Sequence, residues 1–325
     1  MTFPRRLPRL AAIAMVALAV PAGAQDTHLL LVAGLGGEPH YAETFRAWSS
    51  ALQAAAEKRL GIPRSRITYL TEDAGKVSGQ VDGRSTREGL QKAFEQAATR
   101  CRPGDTFAVV LFGHGSGAGE EARFNLPGPD ASARDFAAWL VPFALQRVVF
   151  VNTASASGDF QKVLAGKNRI ILTATKSSQE RNEAIFGRYF SEAFSADAAD
   201  VDKNGKVSIL EAFDAAKAQV ATEYQRERRL LTEHATLDDG EGGVLARSTF
   251  LGGASAPADR AAAFADPALA ALEDERRGLE DRIEALKAAK GSLPEARYEA
   301  ELEQLLLDLA LKNEELRKRR EARKP

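Results

Sequence analysis

Cys101 is the only cysteine in the chain, so no internal disulfide can form and the fold must hold by packing alone. Aromatic residues are sparse, at 7 %, and the net charge is −1. With neither a base-stacking surface nor an excess of positive charge, the composition argues against a nucleic-acid partner and against general attraction to anionic lipid. The apolar run at residues 10–20 falls short of the ~20 residues a bilayer span requires, so the chain is not expected to be membrane-embedded. What is present is ample apolar material. Hydrophobic residues make up 44 % and charged residues 27 % of 325 residues, enough for one good-sized domain with an appendage.

The N-terminus has the order of a secretory signal. Arg5, Arg6 and Arg9 precede the apolar run, and Pro21 and the small triplet Ala22-Gly23-Ala24 follow it. Residues 1–24 are therefore expected to be removed before Gln25, and the mature protein to be periplasmic or secreted. No cysteine follows that site to carry a lipid anchor.

From Thr27 onward the pattern alternates. Apolar runs at 29–32, 67–70, 107–112, 148–151 and 170–173 read as strands. Helical patterns separate them, one with Phe45, Trp48, Leu52 and Ala55 on one face, another with Phe136, Trp139 and Leu140. A helix from about Thr86 is expected to start in a capping box of Ser85 and Glu88. Strands alternating with helices predict an α/β fold, a parallel sheet with helices on both faces. Ligands of such sheets bind just beyond the carboxyl ends of the strands.

Two strand ends carry chemistry-bearing residues. Gly113-His114-Gly115 follows the 107–112 strand, and Ala154-Ser155-Ala156-Ser157-Gly158 follows the 148–151 strand. An imidazole between glycines at a sheet mouth suits a general base, and a hydroxyl one strand away suits its partner. Asn152, Lys176, Ser177 and Arg181 also lie after strands, either lining a cleft or serving as ordinary loop residues. Gly34-Leu35-Gly36-Gly37 fails as a dinucleotide fingerprint because Pro39 stands where its third glycine belongs. His114-Gly115-Ser116-Gly117 lacks the Gly-x-Ser-x-Gly elbow that a lipase reading needs.

Over roughly residues 27–250 these motifs resemble the peptidase clan of caspases, legumain and gingipain, and within it the legumain (asparaginyl endopeptidase) branch. The resemblance implies a caspase-like sheet, with His-Gly after the third strand and Ala-Cys-x-Ser-Gly at the end of the fourth. His114-Gly115 matches the first motif. In the second, Ser155 stands where the family has its nucleophilic Cys. A thiol beside an imidazole ionises readily, whereas a serine needs a well-placed base and usually a third group to orient it. No acidic residue can be given that third role from sequence. Cys101 sits at a helix end before the Pro103-Gly104-Asp105 turn and reads as a structural thiol.

Residues 200–211 match an EF-hand calcium loop. Asp200, Asp202, Asn204, Ser208 and Glu211 supply side-chain oxygens, Lys206 its carbonyl, and Gly205 the turn. Helical patterns at 182–194 and from 209 to about 223 flank it. A single loop without a partner hand, diluted by Lys203 and Lys206, predicts a structural Ca²⁺ that braces the domain rather than a sensor.

Composition shifts after the 25–251 domain. Residues 252–266 read as a Gly/Ala/Pro linker. Residues 267–325 then read as a C-terminal α-helical hairpin of coiled-coil type. Leu272, Leu279, Ile283 and Leu286 are followed by a break at 291–294. Ser292 and Glu295 then form a capping box, and Tyr298, Leu302, Leu305, Leu309 and Leu316 carry the spacing on. Residues 267–320 either pack on the domain or serve homo-oligomerisation or docking to a partner. Three functional readings stand: a pseudo-enzyme that binds peptides or protein partners, an active hydrolase using a Ser155–His114 dyad, and a scaffold acting through the tail.

Overall fold

The computed structural model describes residues 26–76, 80–252 and 294–321, and individual positions between 272 and 287. The expected signal segment, most of the linker and Ser292 lie outside the described residues. Among the described residues, ten strands are formed in chain order: β1 (Thr27–Ala33), β2 (Ile67–Thr71), β3 (Gly83–Arg84), β4 (Thr106–Phe112), β5 (Gly115–Ser116), β6 (Arg123–Phe124), β7 (Ala131–Ser132), β8 (Arg147–Asn152), β9 (Arg169–Thr173) and β10 (Thr236–Asp238). Seven build one sheet in the order β3-β2-β1-β4-β8-β9-β10. Every pairing in it is parallel except β10 on β9.

The long strands form where the sequence offers an unbroken apolar run. Every residue of β1 and β4 is buried, as parallel strands covered on both faces require. Their side chains alternate between two cores. Leu29, Leu31 and Ala33 pack with α1 (Pro39–Lys58), α5 (Phe186–Ala193) and α6 (Ile209–Arg226). Leu30 and Val32 face the other way, toward α2 (Arg87–Arg100), α3 (Ala133–Trp139) and α4 (Asp159–Leu164). The second core holds a cluster of phenylalanines: Phe107 stacks on Phe143 at 4.3 Å, and Phe136 meets Phe150 edge-on at 5.2 Å. The α/β architecture with helices on both faces is thus observed.

Two local expectations are corrected. Thr86, not Ser85, caps α2, its side chain accepting the Gly89 N–H at 3.1 Å. Ser85 instead continues the edge of the sheet, donating its N–H to the Thr71 carbonyl, and is wholly buried. The helix before the calcium-type loop begins at Phe186 rather than Asn182, because a carboxylate from elsewhere in the chain closes its first turn there. The Gly/Pro-rich stretch after β4 is not featureless; it contains the small antiparallel sheet β5-β6-β7.

In the tail, the helix Glu295–Glu321 buries Tyr298 and Leu305 together with Ile283 and Leu286. Lys312 Nζ lies 2.7 Å from the Glu275 carboxylate. Among the described residues no helix is long and apolar enough to cross a membrane.

Candidate active site at the mouth of the sheet

Because β4 and β8 are parallel neighbours, the segments leaving their carboxyl ends emerge side by side. His114 leaves β4 and Ser155 leaves β8. Gly115 shows how tightly the two segments approach: a Cβ there would lie 2.2 Å from the Ser155 carbonyl oxygen and 3.4 Å from the Ala154 side chain. Only a glycine permits that contact.

The His114 ring is half-buried against α1. Tyr41 and Phe45 meet it edge-on, with ring centres at 4.7 and 5.0 Å. Its backbone is held by Asn125, whose N–H donates to the His114 carbonyl at 2.9 Å. Burial lowers the imidazole pKa, opposed by a hydrogen bond to the Gly36 backbone and by the charges of Glu183 and Glu38. Burial wins, so the ring is neutral at neutral pH. Among the described residues no hydrogen bond joins the ring to the Ser155 hydroxyl.

Ser155 is 6 % exposed, on a turn tied down at every neighbouring residue. Thr153 donates both its N–H and its hydroxyl to the Leu111 carbonyl, at 3.0 and 2.8 Å. The Ala154 N–H donates to Asn152 Oδ1 at 3.1 Å. Ala156 is held in the left-handed region, φ +53°, and donates its N–H to the Glu180 carbonyl at 2.7 Å. Ser157 and Thr175 exchange a hydroxyl contact at 3.2 Å, and the Gly158 N–H donates to Thr175 Oγ1 at 3.0 Å. Such a backbone outlier persists only where its surroundings over-determine it.

The other post-strand residues divide. Asn152 is fully buried beneath the turn, and Lys176 is exposed with its N–H on the Glu180 carboxylate. Ser177 accepts the Gln179 N–H, and Arg181 donates to the Ser178 carbonyl; both serve their own loop. Cys101 caps the far end of α2 before β4 begins, and burial pushes its thiol up to about 12. Glu180, Glu183, Glu233 and His234, which gather at this mouth, were invisible in the sequence. They lie on irregular segments with no period to read, and β10, which brings two of them in, is only three residues long.

The calcium-type loop lies apart from His114 and Ser155 in the chain, between α5 and α6. Oxygens of Asp200, Asp202 and Glu211 fall within 4.8 Å of one another. Asp200 accepts the N–H groups of Asn204 and Gly205 at 3.1 and 2.9 Å, and Gly205 takes φ +83°. Asn204 Oδ1 accepts the Lys206 N–H at 2.9 Å, while the Lys206 ammonium lies over the Phe250 ring. Ser208 and Glu211 close a capping box at the start of α6. Burial, with Glu211 and Asp200 close by, raises the Asp202 pKa. An all-oxygen donor set of three converging carboxylates fits a hard divalent cation such as Ca²⁺.

No family model matches the chain, and no curated protein matches it in sequence. Solved structures do. One, of a protein from Geobacter sulfurreducens, aligns at 14 % identity over 66 % of this chain and 92 % of that one, with a TM-score of 0.43. Another is a secreted cysteine protease of Bacteroides thetaiotaomicron in complex with an irreversible peptide inhibitor. It aligns at 14 % identity over 62 % of this chain, with a TM-score of 0.35, and the chain spans 60 % of that protease's length.

Proposed function

We propose that this chain is an exported, caspase- and legumain-like peptidase homologue that captures peptide segments at the mouth of its sheet without cleaving them. The observation that carries this reading is the placement of the His114 ring, wedged against Tyr41 and Phe45 of α1 with no hydrogen bond to the Ser155 hydroxyl among the described residues. In support, His114-Gly115 and Ala154-Ser155-Ala156-Ser157-Gly158 follow two adjacent long strands of a parallel sheet. With a serine at the nucleophile position, an acyl transfer would need His114 to take the Ser155 proton, with a third group to hold the imidazole. Glu183 and Glu38 act on the ring only through space.

A second reading, a serine hydrolase, draws support from one fact: a neutral imidazole one strand from a hydroxyl is in the protonation state of a general base. A fluorophosphonate probe separates the two. The peptide-capture reading predicts no labelling of Ser155. Labelling that disappears in both Ser155→Ala and His114→Ala would establish the hydrolase. In either case the loop at 200–211 would hold a structural Ca²⁺ through Asp200, Asp202, Asn204, Ser208 and Glu211, with the Lys206 carbonyl. The tail would serve association with a partner or a second copy.

A further inference from the structure

Three segments remote in sequence meet behind the Ser155 turn, and one side chain joins them. Glu180 lies in the stretch between β9 and α5. Its carbonyl accepts the Ala156 N–H at 2.7 Å, and its carboxylate accepts the N–H groups of Lys176 and His234, each at 3.1 Å. The same carboxylate meets His234 Nδ1. Next to it, Glu233 is 3 % exposed, and its two oxygens accept the N–H groups of Ile185 and Phe186 at 2.9 and 2.8 Å. Glu233 and His234 sit here because β10 runs antiparallel to β9 at the edge of the seven-stranded sheet. It enters the sheet from the mouth, with Thr236 beside Thr173 at the end of β9. The segment before β10 is thereby laid across the 176–186 stretch like a strap.

We propose that Glu233 and His234 form a clasp on the 176–186 stretch, and that Glu180 is a positioning residue transmitting this clasp to the Ser155 turn. The proposal rests on reading that turn as part of the peptide-capturing mouth. Ala156 is not a glycine, and its left-handed conformation needs an external constraint. The Glu180 carbonyl supplies that constraint only while its side chain is held by His234 and Lys176. With the clasp shut, Ser155 stays buried at the turn. When the strap lifts, residues 153–158 lose one of the tethers that keep them down, the one at Ala156, and the mouth loosens on the side of β8 and β9. The clasp is itself partly accessible. The His234 side chain is 41 % exposed, so a partner or ligand that engages it acts on the Ser155 turn without touching Ser155.

Alkylation of a thiol introduced at the turn tests this without any ligand. In the Ser155→Cys background, the rate of modification by iodoacetamide at pH 8 reports how often the turn opens. Cys101, buried with its thiol pushed up to about 12, stays silent as the internal control. His234→Leu, which removes the ring nitrogen that meets Glu180, should raise the rate about fivefold, as loss of one local tether implies. His234→Asn, whose amide nitrogen can occupy the same place, should remain within roughly twofold of the parent. Circular dichroism melts identify any variant that has unfolded globally. Equal rates for the Leu and Asn variants, or no change in either, would overturn the clasp. Because no peptide enters the assay, failure of peptide capture leaves this result intact, and failure of the clasp leaves peptide capture intact.

Discussion

At the scale of single residues, two positions beside Ser155 shape the mouth. Glu233 is the first. Burial raises its pKa from 4.5 to about 7, against the opposing hydrogen bonds from Ile185 and Phe186, with the charges of Glu180 and Glu183 adding to the rise. His234 and Lys176 are the cationic or titratable groups gathered at the same clasp through Glu180. A carboxyl whose folded-state pKa lies above its unfolded value makes the folded state bind protons more tightly. Its cost to stability is therefore felt near and above pH 7 and disappears as pH falls toward 4.5. Glu233→Gln removes that titration. The stability of the wild type relative to this variant should improve by about 2.5 kcal/mol on going from pH 8 to pH 5, read from urea denaturation at each pH. A constant gap across that range would count against a buried ionisable Glu233. Gly115 is the second. A methyl group there meets the Ser155 carbonyl, so Gly115→Ala should cost about 1–3 kcal/mol by forcing the two strand ends apart, visible as a lowered melting temperature.

At the scale of elements, legibility followed from burial. β1, β4 and β8 were readable because strands covered on both faces must be apolar throughout, and α1 because Phe45, Leu52 and Ala55 repeat on its buried face. β10 carries the polar sequence Thr-Leu-Asp, and its antiparallel pairing, which no local pattern encodes, brings Glu233 and His234 to the mouth. The strands β5, β6 and β7 are two residues each, too short for any alternation to register. The cap expected at Ser85 falls to Thr86 instead. Pairing of the Ser85 N–H with Thr71 at the sheet edge decided between them, and that is a tertiary fact. His114 and Ser155 are candidates from motif and strand position. The calcium reading of the 200–211 loop rests on local ligand spacing, and it carries its own prediction. Millimolar CaCl₂ should raise the melting temperature relative to EDTA, with about 2.7 kcal/mol gained at a hundredfold excess over Kd. Glu211→Gln should abolish the shift while sparing the Ser208 capping box, since glutamine serves equally at that position. A calcium shift that survives in this variant would place the ion elsewhere.

At the scale of the whole molecule, a parallel sheet with one antiparallel edge strand presents a single mouth where five segments converge. Four of them leave the carboxyl ends of β1, β4, β8 and β9, and the fifth enters β10. Everything chemically notable apart from the calcium-type loop lies in those segments, whereas the lone thiol lies at the other end of the sheet. On the proposed reading, that division would let the mouth bind a peptide without turning it over. The rings of Tyr41 and Phe45 and the backbone edges of the mouth do not depend on a competent nucleophile. The most direct measurement incubates the purified full chain with a mixture of proteome-derived peptides and sequences both the retained and the unretained fractions by mass spectrometry. Peptide capture without cleavage predicts a retained set that is intact and no new peptide termini in either fraction. New termini that vanish in Ser155→Ala would contradict it and make this chain a working serine hydrolase.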